Sequence, residues 1–282
     1  MADRRPAPIY VAARRVLLDA LEALQPQLEA VIVVGAQAVY LRTGETRMAV
    51  APYTTDGDLA LDPALVGDEP RLEGIMRDAG FALSGGQPGA WAKTVEIDGT
   101  LVDIPVDLMV PEALAPERGR RSARIPPHDK MATRRAVGLE ATVIDNDVMS
   151  VTALDGSDLR AFDVRVAGST ALLIAKLHKL AERIAEGRAD RIADKDAGDV
   201  YRLMLATPTD LVVGRLRGLL THGTAGPVAT RALELLGDLF GARARPGVLL
   251  AVDSMRAVVP AERVEGVCDA FVRAVVGGLE GA

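Results

Sequence analysis

Two aspartates, Asp56 and Asp58, stand on either side of Gly57 in the segment YTTDGDLAL (53–61). Alternate residues of a strand point to the same face, so the two carboxylates are predicted to project side by side. Carboxylates held that close repel each other unless a cation lies between them. Mg²⁺ prefers oxygen ligands and keeps phosphate oxygens as partners. The pair is therefore a candidate clamp for a divalent metal, although Asp-x-Asp alone also marks many solvated loops.

A later apolar stretch, 100–110, contains two further carboxylates, Asp103 and Asp107. An aspartate in a buried strand is costly unless it is paired or binds a metal. We take Asp107 as the candidate third carboxylate. Asp103 is its rival, because it lies four residues earlier and hence on the same face. The alternative for either residue is an aspartate of an edge strand in solvent.

Upstream of the pair, residues 30–34 (AVIVV) are typical of a short buried strand, and Gly35 then opens a helix. A turn from a strand into a helix directs backbone N–H groups and the positive end of the helix dipole at an anion. Glycine lets the backbone come close to a phosphate. The alternative is that Gly35 only permits a tight connection.

The order of a strand, a glycine turn, a helix, Asp-x-Asp and a later strand with one aspartate resembles the nucleotidyltransferase superfamily of the DNA polymerase β type. The resemblance implies that Asp56, Asp58 and Asp107 hold two Mg²⁺ ions. The metals would neutralise a nucleoside triphosphate and activate a hydroxyl that displaces pyrophosphate.

Two segments of the second half make the resemblance more specific. They are LLIAKLHKLAER (172–183) and ADKDAGDVYRL (193–203). Together with the first motif they are similar to the AbiEii-type nucleotidyltransferase toxins, which include mycobacterial toxins that modify tRNA. The similarity extends from Val31 to Leu203. The matching positions are Thr54, Asp56 and Asp58, then Lys176, Leu177, Leu180 and Arg183, then Lys195, Asp196 and Asp199, with Val200 where the family has leucine.

The resemblance implies that Lys176 contacts the nucleotide phosphates and that Asp196 positions Lys176 or a substrate hydroxyl. The residues support this independently, since Lys176, Lys179 and Arg183 share one helix face, and Lys176 lies in an apolar run. The alternatives are a solvated amphipathic helix, to which we assign Lys179, and ion pairs within the second helix. The predicted catalytic residues are Asp56, Asp58, Lys176 and Asp196, and the predicted nucleotide-binding residues are Gly35, Ala36, Thr54, Lys176 and Arg183.

The segment Arg118–Arg135 carries a local excess of positive charge in a chain whose net charge is −6. Arginine clusters bind phosphate backbones, so this segment is the predicted binding surface for tRNA or another RNA. It contains no aromatic residue, and base stacking is therefore not expected there. The alternative is a solvated loop. We interpret His128 and His178 as surface or packing residues.

Composition narrows the class of protein. The net charge excludes a uniformly basic coat for nucleic acid. No apolar run reaches the roughly 18 residues of a membrane span, and no secretory signal is evident. One cysteine and three scattered histidines offer neither an intramolecular disulfide nor a zinc site. We expect a cytoplasmic protein without membrane contact.

The hydrophobic periodicity predicts an α+β protein. Together with the resemblance, it predicts a nucleotidyltransferase core domain with a mixed sheet at 1–167 and a helical domain at 168–282, and the resemblance implies that the helical domain contributes Lys176 and Asp196 to the cleft. Helices are predicted at 10–24, 36–44, 69–79, 170–186, 194–205, 209–221, 226–241 and 260–279. Strands are predicted at 30–34, 58–61, 90–97, 100–110, 141–153 and 159–166.

The leading hypothesis is a Mg²⁺-dependent nucleotidyltransferase that moves a nucleotide from an NTP to the 3′ end of tRNA. Such an enzyme would act as the toxin of a toxin–antitoxin system, with a cognate antitoxin as partner. A second hypothesis is a small-molecule nucleotidyltransferase of the antibiotic-modifying type. A third is a non-catalytic nucleotide-binding relative, because the turn reads Gly35-Ala36 where the family commonly has Gly-Gly or Gly-Ser.

Overall fold

The computed structural model describes residues 6–44, 54–115, 121–187 and 194–281. The chain divides into two compact units. The first comprises the described residues within 1–41, 53–136 and 146–167, and the second those within 42–52, 137–145 and 168–282. The predicted α+β class with a mixed sheet is confirmed.

The first unit combines a sheet with three helices in its described residues. The helices are α1 (Pro8–Ala23), α2 (Gly35–Thr43, whose last two residues belong to the second unit) and α3 (Leu72–Asp78). The strands are β1 (Val31–Val34), β2 (Gly57–Leu61), β3 (Ala82–Leu83), β4 (Ala90–Ile97), β5 (Thr100–Pro111), β6 (Arg134–Ala136), β7 (Asn146–Thr152) and β8 (Ala161–Ala167). Short 3-10 segments lie at Gln25–Ala30 and Glu112–Leu114.

The strands lie in the order β3-β4-β5-β2-β1-β8-β7, and β6 pairs with β5. The pairs β1–β8, β2–β5 and β5–β6 are parallel, whereas β1–β2, β3–β4, β4–β5 and β7–β8 are antiparallel. β1 and β2 are buried along their whole length. Strands covered on both faces read as continuous apolar runs, which explains why AVIVV stands out in the sequence.

Helix α1 packs against one face of this sheet through its leucines, and Leu17, Leu18 and Leu21 are fully buried. A Cβ built on Gly57 would lie 3.3 Å from Leu17 Cδ1, so position 57 faces α1. Side chains alternate along a strand. Asp58 therefore lies on the opposite face of the sheet from α1.

The second unit is helical apart from its connecting segments. Its helices are α4 (Ser169–Glu186), α5 (Asp194–Ala206), α6 (Thr209–Leu220), α7 (Gly226–Phe240), α8 (Pro246–Met255) and α9 (Ala261–Glu280), and a 3-10 segment lies at Glu140–Val143. Asp145 caps the start of α4, because its Oδ2 accepts a hydrogen bond of 2.9 Å from the Ala171 N–H. None of the helices in the described part of the chain is both long enough and apolar enough to cross a membrane.

Some boundaries differ from the sequence-based prediction. The strand expected at 141–153 begins at Asn146, because a 3-10 segment precedes it. The helix expected at 209–221 ends at Leu220, and Pro208 is its N-terminal cap residue. Strands β3 and β6 and helix α8 were not predicted.

Candidate functional site

Asp58 and Asp107 lie side by side on the neighbouring parallel strands β2 and β5, where they are register partners. Residues in register on adjacent strands project to the same face, so both carboxylates lie on the face opposite α1. Asp58 is buried, whereas the side chain of Asp107 is 26% exposed. The sheet thus brings together two of the three predicted metal ligands, which are 49 residues apart in the sequence (107 − 58).

Gly35 lies directly against Asp58. It follows Val34, which is the register partner of Asp58 across the β1–β2 pair. Its φ is +66°, and a Cβ built on it would lie 2.6 Å from Asp58 Cγ and overlap Oδ2. Glycine is required here both for its left-handed backbone and for the space that Asp58 occupies. The predicted phosphate contact of Gly35 and of the buried Ala36 stays a prediction.

Asp56 precedes β2 rather than lying within it, since the strand begins at Gly57. The Thr54 hydroxyl donates a hydrogen bond to Asp56 Oδ1. The backbone carbonyl of Asp56 accepts one of 3.4 Å from Gln37 Nε2. Both the backbone and the side chain of Asp56 are therefore held by neighbouring side chains.

Gln37 links this loop to α1. Its Oε1 accepts a hydrogen bond of 2.9 Å from Arg14 Nε, and Arg14 Nη1 also donates to the Thr152 carbonyl at 2.8 Å. Arg14 and Gln37 are both buried. Buried polar groups need partners, so these residues brace the loop that carries Asp56. This role was not predicted from the sequence, although a polar residue within each of the two apolar helical runs was the available signal.

Asp107 is engaged by an arginine. Arg134 Nη2 lies 2.6 Å from Asp107 Oδ2 and donates a hydrogen bond to it. Arg134 lies on β6, where its register partner is Met109, two residues beyond Asp107 on the same face of β5. Arg134 belongs to the segment predicted to bind RNA, and its contact with Asp107 was not predicted.

A divalent metal at this site would be held by the carboxylates around β2. Among the residues that the structure describes, no three or more His, Cys, Asp or Glu side chains are grouped so as to hold a metal ion. Mg²⁺ in nucleotide sites is commonly held by one or two carboxylates together with substrate phosphates. Asp56 and Asp58 supply the carboxylate oxygens that such a smaller ligand set requires, and their binding of Mg²⁺ stays a prediction.

The second unit holds Lys176 in a buried ion cluster. Its Nζ donates hydrogen bonds of 2.8 Å to Asp196 Oδ1 and 2.7 Å to Asp199 Oδ2, which reach α4 from α5. Burial alone would lower the pKa of Lys176, but the carboxylates of Asp199 and Asp196 outweigh it and hold that pKa above the ordinary value. Two of the three donors of the ammonium group are therefore used within the unit.

Asp196 is also paired with Arg183, whose Nη1 lies 2.5 Å from its Oδ2. Burial would raise the pKa of Asp196, but the positive charges of Lys176 and Lys179 lower it to about 2. The structure thus brings together the predicted residues Lys176, Arg183 and Asp196 with Asp199. The predicted meeting of Lys176 with Asp56 and Asp58 in one cleft stays a prediction, as do their catalytic roles.

The basic segment is only partly available to a ligand. Arg118 and Arg120 lie outside the described residues. Arg134 binds Asp107, and Arg135 donates to the backbone carbonyls of Ser122 and Glu112. The other described cations of the segment, Arg121, Arg124 and Lys130, are exposed, and Arg121 Nη1 donates a hydrogen bond of 3.3 Å to Gln87 Oε1.

The remaining candidates, Asp103, His128 and His178, each make hydrogen-bonding contacts within the protein. Asp103 is exposed and accepts a hydrogen bond of 2.6 Å from Thr94, as expected of an edge aspartate. His128 is buried, with its ring between the Leu72 N–H and the Gly67 carbonyl, at 3.2 and 3.0 Å. The ring of His178 lies 3.0 Å from the Val228 carbonyl. The interpretation of the two histidines as packing residues agrees with these contacts.

No family model matches the chain, and no curated protein matches it either.

Proposed function

We propose that this protein is a Mg²⁺-dependent nucleotidyltransferase that moves a nucleotide from an NTP to an RNA acceptor. The observation that supports this most directly is the pairing of Asp58 with Asp107 on adjacent parallel strands, with Asp56 at the entrance to β2. Carboxylates that share one sheet face supply the oxygen ligands that Mg²⁺ prefers, together with substrate phosphates. The order of strands and aspartates in the sequence, on which the resemblance rests, supports the same assignment.

Asp56 and Asp58 would hold the metal. When bound, Mg²⁺ would neutralise the triphosphate and lower the pKa of the attacking hydroxyl. The protein's own residues would then orient the reactants: Thr54 and Gln37 fix the loop of Asp56, and Gly35 gives Asp58 its space. We assign the phosphate contacts to the backbone at Gly35 and Ala36 and to the cations Lys176 and Arg183.

Asp196 and Asp199 hold Lys176 charged and fixed in this proposal. The carboxylates keep the ammonium group protonated at every pH at which the protein would work. A lysine that is always charged suits an electrostatic contact with phosphate and not a general base. We therefore assign Lys176 an electrostatic role.

The acceptor is proposed to be RNA, with the 3′ end of tRNA as the first candidate, and the protein would act as a toxin controlled by an antitoxin. The exposed cations Arg121, Arg124 and Lys130 supply the phosphate contacts. Such contacts weaken steeply with salt. Transfer to RNA should therefore decline as the salt concentration rises.

The test is the transfer of labelled nucleotide to total RNA and to purified tRNA, with each of the four NTPs and Mg²⁺. Wild-type protein should label RNA, and Asp58→Asn should reduce the rate at least 100-fold. Asp103→Asn, a carboxylate on the same sheet in solvent, is the matched control and should leave the rate unchanged. Absence of transfer with all four NTPs contradicts the proposal.

A small-molecule acceptor is the second candidate, and the engagement of Arg134 and Arg135 within the fold favours it, because less basic surface is left for RNA. Charge reversal at Arg121 and Arg124 separates the two. RNA transfer should collapse in that variant, whereas transfer to a small hydroxylated acceptor should not. NTP binding by calorimetry without any turnover would instead support the non-catalytic relative.

A further inference from the structure

The contact between Arg134 and Asp107 places a fixed positive charge beside the aspartates that are the candidate metal ligands. Nη2 and Oδ2 are 2.6 Å apart, and the two side chains are 31% and 26% exposed. An arginine remains protonated at all working pH values. The Asp107 carboxylate is therefore neutralised by the protein itself, next to Asp58 on the adjacent strand.

The backbone holds Arg134 in this position. β6 pairs in parallel with β5, and Arg134 is the register partner of Met109. Met109 lies two residues beyond Asp107 on the same face of β5, so the Arg134 side chain can reach Asp107. A Cβ built on Gly89 would lie 2.5 Å from the Arg134 N and 3.0 Å from its Cγ. The absence of a side chain at position 89 allows this close approach.

From this geometry we infer that Arg134 takes the place of a second metal ion, so that the site holds one divalent cation, bound by Asp56 and Asp58. The inference rests on the proposed function and replaces the two ions that the resemblance implies with one. A divalent cation and a guanidinium group repel each other when both contact one carboxylate. No three-ligand group of His, Cys, Asp or Glu occurs in the described residues, which agrees with a site of lower metal content.

Arg134 is a positioning residue in this account, since it acts through Asp107. Its removal leaves Asp107 as an uncompensated carboxylate beside Asp58. That pair would then attract a second cation. Replacement by lysine keeps the charge and should keep the single-ion site.

The experiment counts Mn²⁺ ions bound per protein–nucleotide complex by electron paramagnetic resonance. It uses the full chain at equimolar concentration with the α,β-methylene analogue of each of the four NTPs. We expect one ion for wild type, Arg134→Lys and Asp107→Asn, and two for Arg134→Gln. The double variant Arg134→Gln/Asp107→Asn should return to one. Arg121→Gln, an exposed arginine of the same segment, is the matched control and should bind one.

Two ions in wild type overturn the inference and leave the proposed function standing, whereas no bound ion in wild type overturns both. A count that stays at one in Arg134→Gln, or falls to zero in Asp107→Asn, also overturns the inference. Circular dichroism will show whether Arg134→Gln folds. If it does not fold, the numbers of ions bound by wild type and by Asp107→Asn still test the inference.

Discussion

The carboxylate of Asp58 fills the space that a side chain at Gly35 would occupy. The two residues come from β2 and from the turn that follows β1, and the contact is tight enough that a Cβ on Gly35 would overlap Asp58 Oδ2. The turn that we predicted to contact phosphate therefore also leaves the space in which the main candidate metal ligand, Asp58, lies.

Gly35→Ala should destabilise the protein and abolish transfer. A left-handed backbone costs an alanine about 1–2 kcal/mol, and the overlap with Asp58 adds to that cost and displaces the carboxylate. Urea denaturation and the RNA transfer assay measure the two effects. Gly44→Ala is the matched control, because Gly44 has a φ of +57° and nothing within 4 Å of its Cβ position. It should show the backbone cost alone with full activity, and equal behaviour of the two variants would contradict the account.

Lys176→Met should lower the free energy of unfolding by about 3–5 kcal/mol, because it leaves two buried carboxylates without their cation. Lys179→Met, the same substitution at a half-buried position of the same helix, should change it by less than about 1 kcal/mol. The variant Lys176→Met/Asp196→Asn/Asp199→Asn should recover most of the lost stability. A stable Lys176→Met single variant would refute the assignment of a buried ion cluster.

Acid should weaken the second unit through Asp196. Its pKa is lowered from 3.8 to about 2 in the folded protein, so the folded state binds fewer protons than the unfolded chain. The stability from this group is complete above pH about 5 and is lost as the pH falls through 3.8 towards 2. Urea midpoints between pH 6 and pH 2.5 should therefore fall less in Asp196→Asn than in wild type. Parallel curves for the two proteins would show that Asp196 makes no such contribution.

Gln37→Glu should separate stability from activity. Glutamate keeps an acceptor for Arg14 but removes the N–H that Gln37 donates to the Asp56 carbonyl. Its urea midpoint should stay close to that of wild type, while the transfer rate falls at least 10-fold. Gln37→Met removes both contacts and should also lose about 1–3 kcal/mol, because it leaves buried Arg14 atoms without an acceptor. Wild-type activity in Gln37→Glu would mean that the loop needs no brace.

Much of the sheet could be predicted from the sequence because its central strands are apolar throughout. Burial on both faces makes β1 stand out, and a carboxylate within such a context, as at Asp58, is costly enough to attract notice. The turn of the β4–β5 hairpin is marked by Asp98-Gly99, and Asp98 indeed adopts a positive φ. Strand β6 could not be predicted, because it has only three residues and two of them are arginines, so it shows no apolar alternation.

The partners of the site residues could not be predicted, since they depend on register and on long-range packing. Arg134 and Asp107 are 27 residues apart, and Arg14 and Gln37 are 23 apart. Nothing in local periodicity joins such pairs. Lys176 was the exception, because a lysine within an apolar helical run requires an anion, and Asp196 and Asp199 share one face of the next helix.

If the aspartates around β2 support nucleotidyl transfer, the α-phosphate of the NTP and not its γ-phosphate must end in the RNA. With Mg²⁺, tRNA and an NTP labelled on either its α- or its γ-phosphate, we expect that the α-label enters RNA and the γ-label leaves as pyrophosphate, with both events lost in Asp58→Asn. Incorporation of the γ-label, or transfer that persists unchanged in Asp58→Asn, would contradict it.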